Sequence, residues 1–350
     1  MARPHWFSIF LFLLLPMQVL AGDPGLSEKP AHHTAEGFRN YPPVEAPARK
    51  LGIEFYWKRF KSSFNQPEVP ASHFLPVEKA LARYRELTAE NSVTWIGQST
   101  LLIKLDGRTI LTDPFFKKHA APFNFGPQRY VEPGIPRDKL PPIDIIIVSH
   151  NHYDHLDADF IEGLSNKESV TVYVPLKLGS FFTDRGYGNV HELDWYESKT
   201  IAGIQITALP CVHYSSRGIG DKNKTLWGAW ALAHASGNYF FLGDSAYSPV
   251  IFKDIGRKFK GFDLAFVAIG TYGNRVYGVN NHTNPEEAVA IGKQIKASTL
   301  MGIHWGTIVL SDEDPWEPPQ RFNAAARESG YAPEDTWVFK VGETRKLPQD

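Results

Sequence analysis

The sequence predicts an α/β domain built from two β-sheets, with helices packed on the outside of both. Three observations carry that expectation. Short apolar segments with strand character recur from Val93 to Ile303, interspersed with helix signals, and one small sheet would not hold them all. One of them, Ile143–Val148, is apolar and β-branched at all but one position, the pattern of a strand buried on both faces. No internal repeat and no strong break follows Ser92, so residues 93–350 read as one compact unit.

Ahead of that unit, residues 1–21 have the organisation of a secretory signal. Arg3 and His5 give a weakly basic start, Phe7–Leu15 is almost wholly apolar, and Pro16 precedes the small-residue ending Val19-Leu20-Ala21. The apolar run is shorter than the ~20 residues that cross a bilayer. The expectation is export, in a bacterium to the periplasm, an oxidising compartment with which a lone cysteine is compatible. Residues 22–50, rich in Pro, His, Ala and Gly without periodicity, read as an extended arm. Residues 51–92 include Phe55-Tyr56-Trp57-Lys58-Arg59-Phe60-Lys61, aromatic and basic side chains interleaved. Such a mixture, with Trp57 and Phe60 as contacts, suits a peripheral membrane interface. It also suits a set of rings that cover one side of the main domain.

Within the main unit, Val93–Ile96, Leu101–Leu105 and Thr109–Leu111 read as strands, the last two joined by the hairpin signal Asp106-Gly107. Further strands follow at Thr171–Val174, Ile204–Leu209, Ala229–Ala233, Tyr239–Leu242, Phe262–Ile269 and Leu300–Ile303. One helix is announced by Asn284 as N-cap and Pro285 at the first position, with Glu286 and Glu287 against the positive end of the dipole. A second runs from Pro319 to Ser329 and stops at Gly330.

Composition narrows the chemistry. With 37 Lys+Arg against 38 Asp+Glu, the chain lacks the basic footprint of a nucleic-acid binder. A single cysteine, Cys211, excludes intramolecular disulfides and thiolate-rich zinc sites, whereas histidines number 13. Any metal here is held by imidazole and carboxylate. Ile143–Val148 runs straight into Ser149-His150-Asn151-His152-Tyr153-Asp154-His155, three histidines and an aspartate at a strand end. Zinc takes such ligands, and catalytic sites keep one position open for water. Four of them on one short turn are too many for one open tetrahedral site, which suggests two metals completed from elsewhere. Other strand ends offer His213, Asp244 and His304.

His150, His152, Asp154 and His155, followed by His213, Asp244 and His304, resemble the metallo-β-lactamase superfamily of zinc hydrolases. Within it, the chain is similar to the N-acylphosphatidylethanolamine phospholipase D family. That similarity rests on Trp95-Ile96-Gly97, Thr112-Asp113-Pro114, Ser149–Asp157, Gly243-Asp244-Ser245 and Phe262-Asp263-Leu264. It continues through Asn284–Ala288, His304–Thr307, Glu317-Pro318-Pro319 and Phe339–Glu343, covering roughly Gly37 to Leu347.

The resemblance implies the αβ/βα four-layer sandwich and two Zn2+ per chain. His150, His152 and His213 would bind one, Asp154, His155 and His304 the other, and Asp244 would bridge. It implies a phosphodiesterase of the phospholipase D type, in which a metal-bridging hydroxide cleaves N-acylphosphatidylethanolamine-like lipids to phosphatidic acid and N-acylethanolamine. The partners are then a phospholipid and the membrane surface, with a homodimer among the assemblies allowed. Asp154 counts among the catalytic residues as well as the ligands. His282 is placed near the site, to orient phosphate or protonate the leaving alkoxide, unless it is an ordinary surface histidine. Arg217, Lys222 and Lys224, in the loop after His213, are placed to steer an anionic headgroup, unless they are only solvated.

Two departures stand out. Gln98 occupies a position where many relatives have His, and Asp244 stands where a true β-lactamase has a Cys ligand. Cys211 reads as a buried small hydrophobe. The alternative is a lactonase or another phosphoesterase of the same fold acting on a small soluble substrate, which metal ligands alone do not separate.

Overall fold

Fourteen strands among the described residues form two seven-stranded sheets, each half antiparallel and half parallel. The structure, a computed structural model, describes residues 30–43, 57, 61, 66–122, 126–277 and 280–348. The chain divides into two compact units, Met1–Ala31 and His32–Asp350, and every element named below belongs to the second. The signal expected at residues 1–21 lies outside the described residues, as does Phe60. Among the described residues, no helix is long and apolar enough to cross a membrane.

The first sheet contains β1 (Ser92–Gly97), β2 (Thr100–Leu105), β3 (Arg108–Thr112), β4 (Ile145–Ile147), β5 (Thr171–Pro175) and β6 (Asn189–Leu193). The second contains β7 (Ser198–Ile201), β8 (Ile204–Leu209), β9 (Ala229–His234), β10 (Gly237–Phe241), β11 (Phe262–Ala268), β12 (Ala297–Ile303) and β13 (Thr336–Trp337). The last strand, β14 (Thr344–Lys346), returns to the first sheet beside β1, giving the order β14-β1-β2-β3-β4-β5-β6. The second sheet runs β13-β12-β11-β10-β9-β8-β7. Helices are α1 (Val77–Glu86), α2 (Ala158–Gly163), α3 (Ser180–Thr183), α4 (Pro249–Lys258), α5 (Pro285–Gln294) and α6 (Pro318–Glu328).

Period-two alternation sorts the apolar side chains into layers. Val93, Trp95, Leu101, Ile103, Ile145 and Ile147 share a core with Ile206, Trp230 and Leu232 of the opposite sheet. Their neighbours Ile96, Leu102, Leu111 and Ile146 turn the other way, onto Leu81 of α1, Phe160 of α2 and Phe182 of α3. Ile255, Ile291 and Phe322 bring α4, α5 and α6 onto the second sheet. Helix, sheet, sheet, helix: this is the αβ/βα sandwich. Truncating a fully buried residue such as Ile147 to Ala costs about 2–5 kcal/mol in such a core.

Several expectations hold in detail. Asp106 and Gly107 both have positive φ, 47° and 73°, as a type I′ hairpin turn requires. Asn284 and Glu287 form a reciprocal capping box at the start of α5. The run Ile143–Val148 yields a strand of only three residues, and Asp144 within it uses its carboxylate on the Thr109 N–H at 2.8 Å. Of the arm expected at 22–50, residues 32–43 are part of the second compact unit. Trp57 is exposed, with Lys61 Nζ 5.5 Å above its ring.

Candidate metal centre

All seven sequence-derived donors sit in loops that leave the sheets. The loop after β4 carries His150, His152, Asp154 and His155; His213 follows β8, Asp244 follows β10 and His304 follows β12. They assemble as two sets that share one residue. His150, His152, His213 and Asp244 form the first, and Asp154, His155, Asp244 and His304 the second. Within each set, the donor atoms lie within 4.8 Å of one another.

Asp244 stands at the junction. Its Oδ2 lies 3.9 Å from His150 Nε2, 3.8 Å from His213 Nε2 and 3.1 Å from His155 Nε2, while Oδ1 is 3.2 Å from His304 Nε2. Asp154 Oδ2 is 3.3 Å from both His155 Nε2 and His304 Nε2. In the first set, His152 Nδ1 approaches His150 Nε2 to 2.8 Å and His213 Nε2 to 3.3 Å.

Outer partners decide which nitrogen each ring presents. Asp113, at the end of β3, takes His155 Nδ1 at 2.7 Å and two further bonds from the Ser149 hydroxyl and N–H. The Ser149 hydroxyl lies 2.9 Å from His150 Nδ1, Asn281 O lies 3.0 Å from His213 Nδ1, and Thr271 Oγ1 lies 3.2 Å from His304 Nδ1. Nε2 is thereby left facing the centre in all four. Gln98, the departure noted in the sequence, is part of this frame. Its Nε2 donates to Asp154 Oδ2 at 3.0 Å and lies 2.9 Å from His304 Nε2, while Oε1 accepts from Thr307. Gln98, Asp113, Thr271 and His304 all have positive φ, between 36° and 66°, and such strain gathers at functional sites.

The electrostatics divide the two sets. Burial drives the His150 and His152 imidazoles well below their usual value, and takes His213 down to about 4. Burial acts on His155 and His304 in the same sense, but Asp244 and Asp154 outweigh it. His155 ends well above its usual value and His304 is pushed up to about 9. The Asp244 carboxyl, which burial would raise, is held well below the carboxylate range by His155, His304 and His282.

This donor set fits a divalent cation. His152 Nε2, His155 Nε2 and Asp244 Oδ1 are buried without a hydrogen-bond partner. Imidazole nitrogens and two carboxylates converge on the same small volume, an arrangement that positive charge stabilises.

A cleft of about 340 Å³ opens on this centre, lined by His152, Asp154, Tyr214, Asp244, Asn281 and His282 among others. His282 is buried, with Nδ1 unpaired and 3.6 Å from Asp244 Oδ2. A second cleft of about 370 Å³ shares Thr271 and Leu310 with the first and adds Trp305 and Ile308. Lys222 reaches over the Tyr214 ring at 5.7 Å, and exposed Lys224 lies 3.5 Å from Glu36. Arg217 braces the ligand loop: its Nη1 donates to the carbonyls of Asn151 and Leu156 at 3.1 and 2.7 Å, and its guanidinium stacks over Tyr153. Cys211 is buried, as expected for a small hydrophobe.

Sequence reasoning assigned no role to Asp113, Tyr214, Thr271 or Asn281. Asp113 alone had a usable signal, an acidic residue at a strand end.

Fold and site together define a metal-dependent hydrolase. The family described as the beta-lactamase superfamily domain matches residues 108–305, a span that takes in all seven donors. The chain belongs to the metallo-β-lactamase superfamily, and it stands close to the phospholipases D that hydrolyse N-acyl-phosphatidylethanolamine. It is 38% identical over 238 residues to N-acyl-phosphatidylethanolamine-hydrolyzing phospholipase D 1 of Caenorhabditis elegans, covering 65% of this chain and 67% of that protein. The mitochondrial N-acyl-phosphatidylethanolamine-hydrolyzing phospholipase D of Saccharomyces cerevisiae is 37% identical over 245 residues, 68% of this chain but only 52% of that one. The metallo-beta-lactamase fold protein YhfI from Bacillus subtilis shares the fold, with a TM-score of 0.52 over 73% of this chain and 99% of that one, at 19% identity.

Proposed function

We propose that this chain is a dinuclear zinc phosphodiesterase of the phospholipase D type, cleaving N-acylphosphatidylethanolamine-like lipids to phosphatidic acid and an N-acylethanolamine. The observation that carries the reading is the pair of donor sets joined at Asp244 beneath an open cleft. Likeness to two enzymes named for that hydrolysis selects the substrate class. His150, His152, His213 and Asp244 hold one zinc; Asp154, His155, His304 and Asp244 hold the other. Two zincs so held supply an activated water near neutral pH and positive charge for the phosphoryl oxygens.

The protein's own groups do the positioning. Burial pushes His282 down to about 3, so at neutral pH it is an uncharged imidazole. Standing beside Asp244 in the cleft wall, it orients the phosphate through a hydrogen bond. Burial pushes the Tyr214 phenol up to about 12, so it remains an O–H donor in the wall of the same cleft. The adjoining cleft with Trp305, Ile308 and Leu310 accepts apolar chain, each buried methylene contributing ~0.8 kcal/mol. Exposed Trp57, with Phe60, docks the enzyme on the lipid surface, in the exported setting that the N-terminal sequence suggests.

The test is mass spectrometry of products after incubating the zinc-loaded protein with N-acylphosphatidylethanolamine vesicles, a soluble chromogenic phosphodiester and a lactone. Phosphatidic acid and N-acylethanolamine are expected from the vesicles. Trp57→Ala with Phe60→Ala lowers the vesicle rate more than the soluble one. Fast lactone turnover with no phosphatidic acid in any detergent would make the chain a lactonase instead.

A further inference from the structure

The main chain of His213 is held from outside the sheets, by a side chain. Its neighbour Val212 is held by the loop after β10: its N–H donates to Ser245 Oγ at 3.0 Å and its carbonyl accepts from the Ala246 N–H at 2.8 Å. One residue later, the partner is a side chain from far upstream. Asn40 Oδ1 accepts from the His213 N–H at 3.1 Å, and Asn40 Nδ2 donates to the His213 carbonyl at 2.9 Å. A single carboxamide thus does for His213 what a neighbouring strand would do. Its orientation is fixed, because Trp227 Nε1 also donates to Oδ1, at 3.1 Å. With the ring held at Nδ1 by Asn281 O, both the backbone and the imidazole of this donor are set.

Asn40 is itself secured by the segment that precedes it. Phe38 is buried and its N–H donates to Asn223 O at 2.9 Å. Gly37 lies so close to that loop that a Cβ would sit 2.0 Å from Asn223 O. Farther back, His32 and His33 place their Nε2 atoms on the two oxygens of Asp194, at 2.6 and 2.7 Å, and His32 stacks on Trp195. Each carboxylate oxygen already has its imidazole, so this cluster is a satisfied clamp and serves as a tether.

We propose that residues 32–40 are a positioning device for the metal ligand His213, with Asn40 as the residue that seats it and the His32/His33–Asp194 clamp as its anchor. The proposal rests on the reading of the two donor sets as metal sites. Losing an outer partner of a metal-ligating histidine typically lowers metal affinity about 10–100-fold.

The experiment uses the full chain and follows zinc release to a graded chromophoric chelator, with the absorption spectrum of the cobalt-substituted protein as a second readout. Asn40→Ala is expected to weaken one zinc equivalent about 10–100-fold, the same one that His213→Ala removes, and to alter only that ion's cobalt bands. Asn40→Asp keeps the acceptor for His213 and Trp227, and so recovers part of the affinity. His32→Ala with His33→Ala produces a smaller loss in the same equivalent. Wild-type affinity for both ions in Asn40→Ala, while His213→Ala loses one, overturns the proposal. If Asn40→Ala does not fold, wild-type affinity and spectrum in Asn40→Asp together with the double histidine variant overturn it equally. Two ions retained in His213→Ala would count instead against the metal reading itself.

Discussion

The two donor sets share Asp244 and are otherwise built by opposite means. The first is imidazole-rich, with His150 and His152 nitrogens 2.8 Å apart and all three rings kept neutral by burial. It is seated by a serine hydroxyl, a main-chain carbonyl and a carboxamide from the N-terminal segment. The second pairs its two imidazoles with Asp154 and Asp244 and has the buried carboxylate of Asp113 behind His155. Its histidines are pushed up where the others are pushed down. The acidic set attracts a cation by charge; the imidazole set depends on converging lone pairs, and hence on exact seating by its loops.

Three changes break or sharpen that contrast. The largest effect is expected from Asp244→Asn, since a neutral amide cannot offset two dications. Both zinc equivalents should weaken by more than about 100-fold, read by elemental analysis after dialysis. Two ions bound at wild-type strength would show that Asp244 is not shared. A smaller and unequal effect is expected from Asp113→Asn, which keeps the volume but removes the charge behind His155. Chelator competition should show the acidic set weakened about tenfold and the imidazole set weakened less, through the Ser149 hydroxyl that links Asp113 to His150. Equal losses in both would mean that the two sets have common support.

The smallest effect concerns stability. His73 Nε2 lies 2.7 Å from Gly306 O, beyond His304, and burial pushes its imidazole down. A depressed value in the folded state means that the unfolded chain binds the proton first. The contribution is therefore present above about 6.5, the ordinary histidine value, and is lost as pH falls below it. His73→Gln should lower the thermal midpoint by about 2–4 °C near neutrality, with the gap closing toward acid. Melting curves in which that gap widens on acidification would contradict the assignment.

What the sequence revealed depended on how local each signal was. The loop His150–His155 announces itself because four donors fall within six positions. The Asp106-Gly107 turn and the Asn284 cap were legible because their partners lie within a few residues. Strands β6 and β7 were not foreseen, for each is an edge strand of its sheet with little apolar alternation. Asp113 and Asn40 escaped for another reason. Asp113 meets Ser149 and His155 across 36 and 42 positions, and Asn40 meets His213 across 173, distances at which no spacing rule operates. Gln98 stood out only as a missing histidine; its role emerges from a left-handed turn that no propensity would assign to glutamine.

Gly37 has no side chain, touches no ligand and precedes the first strand by more than fifty positions. Yet a methyl group there would collide with Asn223 O at 2.0 Å and shift the segment that carries Asn40. In a saturation library scored for zinc content, this position would rank beside residues that bind the ion. A version trimmed to the sheets would carry all seven donors and still lack the seat of one.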